Sequence, residues 1–324
     1  MKDVALGIDI GGTNTKFGFV DTEGHIYAEH SISTTHTPPG DVDAFLQYIY
    51  KEAEILRKKT DASLNVVGVG IGAPNGNYFT GTIEYAPNLS FRGVVPLIKK
   101  FKEHYNVPMA LTNDANAAAI GEMIYGGARG MKHFIVITLG TGLGSGFVTN
   151  GGLVYGHDGF AGEMGHILNK VGGRTCGLGR RGCLEAYVSA TGIKRTVFKL
   201  LADMTEDSPL RDISFNELTA NTITDLALQG DKIALAAFDK TADLLGQKLS
   251  DMVAIFSPEA IFMLGGLAKA GDLIFKPTKY YMEEYMFQVF KNKVKLLPSA
   301  LEGKNAAVLG ASALIWNEMG VSPV

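Results

Sequence analysis

The sequence predicts an α/β protein built as two similar domains that face each other across a cleft. Three observations predict it. The chain has 324 residues, more than one hydrophobic core usually serves, so two domains are expected. Apolar strand-like runs alternate with amphipathic helical stretches along its whole length. An apolar strand, a glycine turn and a second apolar strand open the chain at residues 4–21, and the same plan recurs at residues 133–149.

Taken in order, residues 4–10 read as a buried strand, Gly11, Gly12 and Thr13 as a turn, and residues 16–21 and 26–33 as further strands of an antiparallel meander. Residues 41–59 carry Phe45, Ile49, Ala53 and Leu56 at the spacing of one helix face. Residues 66–72 are wholly apolar and suit a strand buried on both sides. A second amphipathic helix is expected over 94–105, a second buried strand over 109–112, and a helix with a polar cap over 113–123. Strands at 133–139 and 145–149 enclose the turn from Gly140 to Gly144. A glycine-rich loop at 172–182, a long helix at 185–203 and helices within 231–256 follow. A strand at 260–264 then ends in Gly265 and Gly266, and a helix at 305–317 closes the chain. That helix can pack back on the first half. The expected division is therefore 1–125 plus 305–324 against 126–304, with the boundary inside the GGARG run at 126–130.

Composition narrows the function. Hydrophobic residues make up 46% and charged residues 19%, as in an ordinary globular protein. Thirty basic and 33 acidic residues leave a formal charge of −3, which supplies no field for nucleic acid or an anionic membrane. No apolar run approaches the roughly 18 residues of a membrane span, and the N-terminus lacks the apolar core of a signal peptide. Two cysteines cannot form a disulfide framework and suit a reducing, cytoplasmic setting. Forty glycines are the anomaly. Their clustering in loops suggests backbone that approaches a ligand.

The two glycine turns can clasp one polyphosphate from opposite sides, with main-chain N–H groups and the hydroxyls of Thr13, Thr15 and Thr141 as donors. Asp9 precedes the first turn, where its carboxylate could hold Mg²⁺ through water beside the phosphates. No G-x-x-x-x-G-K-[ST] run is present. The run from Gly68 to Ala73 fits a dinucleotide pattern. It continues, however, into the Pro74-Asn75-Gly76 turn rather than a helix, so the dehydrogenase reading fails. Asn113 and Asp114 stand at a strand-to-helix junction. Phosphoryl transfer to an alcohol needs a carboxylate to accept the hydroxyl proton and polar groups to fix the acceptor. Asp114 suits the first task and Asn113 the second. Glu163, His166 and Glu185 add polar groups among glycines, which suits a polyhydroxylated ligand.

These residues resemble the ROK family of bacterial sugar kinases (repressors, open reading frames, kinases), most closely its glucokinase-like members. The matching runs are GIDIGGTNTK from Gly7, GAPNG from Gly72, NDANAAA from Asn113, LGTGLGSG from Leu139, AGEMGHI from Ala161, CGLGRRGCLE from Cys176 and MLGG from Met263. They keep the family's order over nearly the whole chain. The resemblance implies an actin-like, ribonuclease-H-type fold in both domains. It implies ATP held by Gly11, Gly12 and Thr13 on one side and Thr141 and Gly142 on the other, with Gly265 and Gly266 near the adenosine. It also implies a hexose contacted by Asn113, Asp114, Glu163, His166 and Glu185, with Asp114 as base, in a homodimer or homotetramer. Glucose is the first expectation, ahead of N-acetylglucosamine, then N-acetylmannosamine or fructose.

Two departures stand out. Asn14 follows the GGT run where the family often has lysine, with Lys16 two residues on. The family's zinc loop matches at His166, Cys176 and Cys183, but Leu178 replaces the remaining thiolate, so no complete metal site is assigned. A sugar-responsive repressor would carry a DNA-reading module ahead of the core, and here the first glycine turn begins within the opening dozen residues. A non-catalytic sensor would not need Asp9, Asp114 and both turns intact.

Overall fold

The computed structural model describes residues 2–301 and 303–321. Its first sheet holds β1 (Lys2–Ile10), β2 (Asn14–Val20), β3 (Ile26–Ser33), β4 (Leu64–Gly72) and β8 (Met109–Thr112), in the order β3-β2-β1-β4-β8. The first three strands pair antiparallel, and β4 and β8 continue in parallel. α1 (Val42–Thr60) covers one face with Phe45, Leu46, Ile49 and Ala53 buried. Asp41 caps that helix by accepting from the Ala44 N–H at 2.9 Å.

The second sheet repeats the plan. β9 (Phe134–Leu139), β10 (Leu143–Thr149), β11 (Gly152–Leu153), β12 (Ala260–Leu264) and β13 (Lys295–Pro298) run in the order β11-β10-β9-β12-β13. An antiparallel meander is again extended by two parallel strands. This is the repeated plan expected from the two glycine turns, and the actin-like architecture that the family resemblance implies. Outside the second sheet pack α4 (Glu185–Val188), α5 (Ala190–Asp203), α6 (Ala220–Leu228), α7 (Lys232–Phe256) and α8 (Asp272–Tyr285).

Between the sheets lie α3 (Asp114–Ile124) and α9 (Ala306–Glu318). α9 is apolar all round and buried from Val308 to Trp316, as a helix packed on several sides must be. Its close approach to the first sheet explains several glycines. A Cβ at Gly7 would strike the Val308 carbonyl, one at Gly70 the Ala311 carbonyl, and one at Gly68 would stand 2.6 Å from Ile315 Cγ1. Gly121 and Gly310 let α3 and α9 touch backbone to backbone, and Gly144 and Gly146 admit Ala115 and Ala119 of α3 onto β10. The glycines of the rejected dinucleotide pattern are therefore packing residues.

Some elements differ from the sequence expectation. Over 94–105 only α2 (Leu97–Phe101) is helical, because Pro96 confines Val95 to extended backbone and can stand only at a helix start. β7 (Val94–Val95) instead joins β5 (Gly76–Asn77) and β6 (Thr82–Glu84) in a small third sheet. The helix expected over 185–203 breaks at Ser189, whose extended backbone lets its side chain cap α5 at the Gly192 N–H. The stretch 231–256 is one helix, not several. Among the described residues no helix is long and apolar enough to cross a membrane.

Candidate active site

A cleft of about 1430 Å³ opens between the two sheets, walled on one side by the turn from Gly140 to Gly144. Asp9, Asn113, Asp114, Thr141, Gly142, Glu163, His166, Glu185, Gly265 and Gly266 all line it. Gly11, Gly12 and Thr13 do not enter its wall. Gly11 N–H closes the turn on the Asn14 carbonyl at 3.0 Å, and the Thr13 carbonyl accepts from Thr34 N–H at 2.9 Å. A Cβ on Gly12 would lie 2.6 Å from the Asn88 carbonyl, so packing against that loop explains this glycine.

Asp114 opens α3 immediately after β8. Asn113 caps the helix, accepting from Ala115 N–H at 2.7 Å, and the same N–H lies 2.8 Å from Asp114 Oδ1. Asn113 Nδ2 donates to Glu163 Oε1 at 3.3 Å, which ties the strand-to-helix junction that carries Asp114 to Glu163. Glu163 and His166 flank a short turn that Ser145 of β10 anchors, donating to the Gly162 carbonyl and accepting from Met164 N–H at 3.1 Å. Glu185 opens α4 and accepts from Gly177 N–H at 3.1 Å.

Negative charge is crowded here. Asp9 is pushed up to about 7, first by burial and then by Asp114, with Lys16 opposing. Burial also raises Asp114, against hydrogen bonds from the N–H groups of Ala115 and of Asp114 itself. Asp114 faces the cleft openly, yet protein surrounds it on the remaining sides. Burial likewise raises Glu163, with Asp114 and Glu185 adding to the effect and His166 opposing it. Such a ring stores proton affinity and wants cations or hydroxyl hydrogens to face.

Glycine geometry marks the opposite wall. Of the cleft glycines, Gly140 and Gly266 have ordinary backbone and no atom within 4 Å of an added Cβ. Neither packing nor conformation requires glycine at these two positions, and both open onto the cleft. Sequence reasoning singled out Gly266 by itself and reached Gly140 only as part of the turn expected to clasp a polyphosphate. It also missed Asn75, Asn88 and Arg195, which line the cleft from loops and from α5. For Asn75 the Pro-Asn-Gly turn was the available signal, since the residue adopts φ 52°.

Near the cleft, ligand atoms of His166, Cys176 and Cys183 all lie within 4.8 Å of one another. His166 Nδ1 is buried without a hydrogen-bond partner. Burial, and then Cys176, push the Cys183 thiol up to about 11. Leu178 lines the cleft and is 51% exposed.

Two ribonuclease-H-type sheets closing on a carboxylate-lined, glycine-walled cleft define an ATP-dependent phosphotransferase of the actin-like class. Over residues 5–318 the chain matches the family model described as "ROK family". A glucokinase of Halalkalibacterium halodurans is 35% identical over 317 residues, covering 96% of this chain and 94% of that protein. The solved structure of a ROK family glucokinase from Streptomyces griseus, in complex with glucose and AMPPNP, superposes with a TM-score of 0.79 at 31% identity, over 96% of this chain and 98% of that one. A xylose repressor of Bacillus spizizenii is 28% identical over 96% of this chain, which spans 76% of the repressor. The chain belongs to the ROK family.

Proposed function

We propose that the protein transfers the γ-phosphoryl group of ATP to a hexose, glucose first, to give glucose 6-phosphate in the cytoplasm. The observation that carries this is the carboxylate of Asp114, held at the N-terminus of α3 among Asn113, Glu163, His166 and Glu185. In this reading Asp114 takes the proton of the attacking hydroxyl, while the other four hold the sugar. Asp9 is placed to hold Mg²⁺ through water; when bound, the ion neutralises charge on the phosphates. Closure of the halves keeps water from accepting the phosphoryl group. By family resemblance the working form is a homodimer or homotetramer. A coupled assay with ATP and glucose, N-acetylglucosamine, N-acetylmannosamine or fructose tests the assignment. Glucose should show the highest kcat/KM, and preference for an N-acetylated hexose would overturn it.

Glu163→Ala should weaken sugar binding in calorimetry and leave ATP binding unchanged. Removing a charged partner from a hydrogen bond costs roughly 1.5–3 kcal/mol, which corresponds to about 10- to 150-fold in affinity. Unchanged sugar affinity would make Glu163 only the anchor of Asn113.

The donor set of His166, Cys176 and Cys183 fits zinc with three of the usual four protein ligands. An ion there would fix the loop ahead of Glu185. The loop has other supports, however. Arg174 donates to the Ala186 and Gly192 carbonyls, Arg195 to Thr175, Arg180 to His166 and Arg181 to Gly172. Elemental analysis of reduced protein, purified without chelator, should therefore find well under one zinc per chain. Leu178→Cys should raise the content to one and increase Tm. Full occupancy in the wild type would mean that three ligands suffice.

A further inference from the structure

The segment that delivers Glu163 has little stiffness of its own. Between β11 and Glu163 the chain makes a closed loop, sealed where Ala161 N–H donates to the Tyr155 carbonyl at 3.1 Å. Gly156, Gly159 and Gly162 all take positive φ there, at 73°, 90° and 97°. Glycine backbone loses more freedom on ordering than any other, so such a loop needs a brace from outside. We infer that Asn77 is that brace, a positioning residue that reaches from the third sheet into the loop and holds Glu163 where the sugar meets it. The inference rests on the kinase reading above.

Asn77 ends β5 and is 3% exposed. One Nδ2 hydrogen goes to the Asp158 carbonyl in the loop at 2.8 Å, and the other to Glu84 Oε1 at 3.1 Å. Asn77 Oδ1 accepts from Phe79 N–H at 3.0 Å and from Thr80 N–H at 3.4 Å. Both donors and the acceptor of the amide are thus engaged, which fixes its orientation. Glu84 is held in turn by Thr82 Oγ1, which donates to it at 2.8 Å.

The fit is close on the loop side as well. A Cβ on Gly159 would lie 2.6 Å from Asn77 Oδ1, so that glycine is required by its neighbour as well as by its φ. Beside Asn77, Tyr78 stacks on Tyr155 with ring centroids 4.1 Å apart and planes 10° apart. Tyr78 Oη donates to Glu318 Oε2 of α9 at 2.7 Å, which steadies the stack. The loop is therefore gripped at its start by an aromatic ring and at its middle by the Asn77 amide. Asn77 does not line the cleft, so any effect it has on the sugar must pass through the loop.

The test uses the full chain with Asn77→Asp, alone and combined with Glu163→Ala. The Asp carboxylate keeps an acceptor for Phe79 and Thr80 N–H but has no hydrogen for the Asp158 carbonyl, which separates the brace from the local turn. Calorimetry measures glucose, or whichever of the four hexoses the coupled assay prefers, without nucleotide, and ATP without sugar. The hexose should bind about 5- to 50-fold more weakly, the scale of one hydrogen bond lost at a buried polar group. In steady state the loss should fall on KM for the hexose rather than on kcat. ATP affinity should stay within about twofold of wild type, and in the Glu163→Ala background the same substitution should change hexose affinity by less than about twofold, because the brace acts through Glu163. Asn77→Ser, whose hydroxyl also supports a turn, serves if the Asp variant melts early. Unchanged hexose affinity overturns the inference. So does an equal loss for hexose and ATP, or losses that multiply in the double variant. Should the wild type bind none of the hexoses, the kinase reading fails. Hydrogen exchange at the Ala161 and Met164 amides then decides whether Asn77 holds the loop: exchange about tenfold faster in the variant supports the brace, and unchanged exchange overturns it.

Discussion

Asp114→Asn is expected to lower kcat by roughly 10²–10⁴-fold, the contribution of one positioned base, while sugar affinity and fold are kept. The amide oxygen can still accept from Ala115 N–H, which lies 2.8 Å from Asp114 Oδ1 and fixes the start of α3. It cannot take a proton from the acceptor hydroxyl. Retention of more than about a tenth of wild-type kcat would remove Asp114 from the role. The pH behaviour follows with a definite sign. Asp9 is protonated more readily in the fold than in the unfolded chain. Its contribution therefore favours the unliganded fold at low pH and is lost as pH rises from 3.8 through about 7. Asp114 is the second cause of that shift, after burial. Its replacement by Asn should move the acid limb of ATP binding to lower pH and flatten the loss of stability over that window. An unmoved acid limb would mean that the two carboxylates do not sense each other.

Much of this site was legible because its parts are local. Asn113-Asp114 announces a strand-to-helix junction on its own, and the glycine hairpins at Gly11 and Gly140 announce two meanders. What stayed hidden depends on partners distant in sequence. The glycines clustered in loops suggested ligand contact there and left those within strands without a reason. Gly7, Gly68 and Gly70 instead exist for α9, some 240 to 300 residues further on. Gly12 exists for Asn88. α8 was hidden by Pro277 inside it, since proline is the usual sign that a helix stops. Pro96 misled in the other direction, standing within an amphipathic pattern that it cuts short. Asn14 was the departure from the family pattern that the sequence showed, and the register of β1 and β2 was needed to put Lys16 opposite Asp9.

The glycine turn at Gly140 yields the second large expected effect, and a neighbour supplies the control. An added Cβ at Gly140 meets no atom within 4 Å, so Gly140→Val should fold and melt much as the wild type does. Its side chain would occupy space where the nucleotide approaches backbone. KM for ATP should rise by on the order of 10²–10³-fold, comparable to losing one positioned donor to the transferred group. Sugar affinity measured without nucleotide should hold, because the polar groups assigned to the sugar come from other segments. Gly142→Val behaves differently. Its Cβ would stand 2.5 Å from Glu185 Oε2, and Glu185 is held in place by Gly177 N–H. A nucleotide-only effect, the natural expectation for a phosphate-facing glycine, is therefore not expected at 142. That variant should lose sugar affinity as well as ATP affinity. Measuring both ligands on both variants separates the two walls of the cleft. Loss of sugar binding in Gly140→Val, or intact sugar binding in Gly142→Val, would put the boundary between sugar and nucleotide elsewhere.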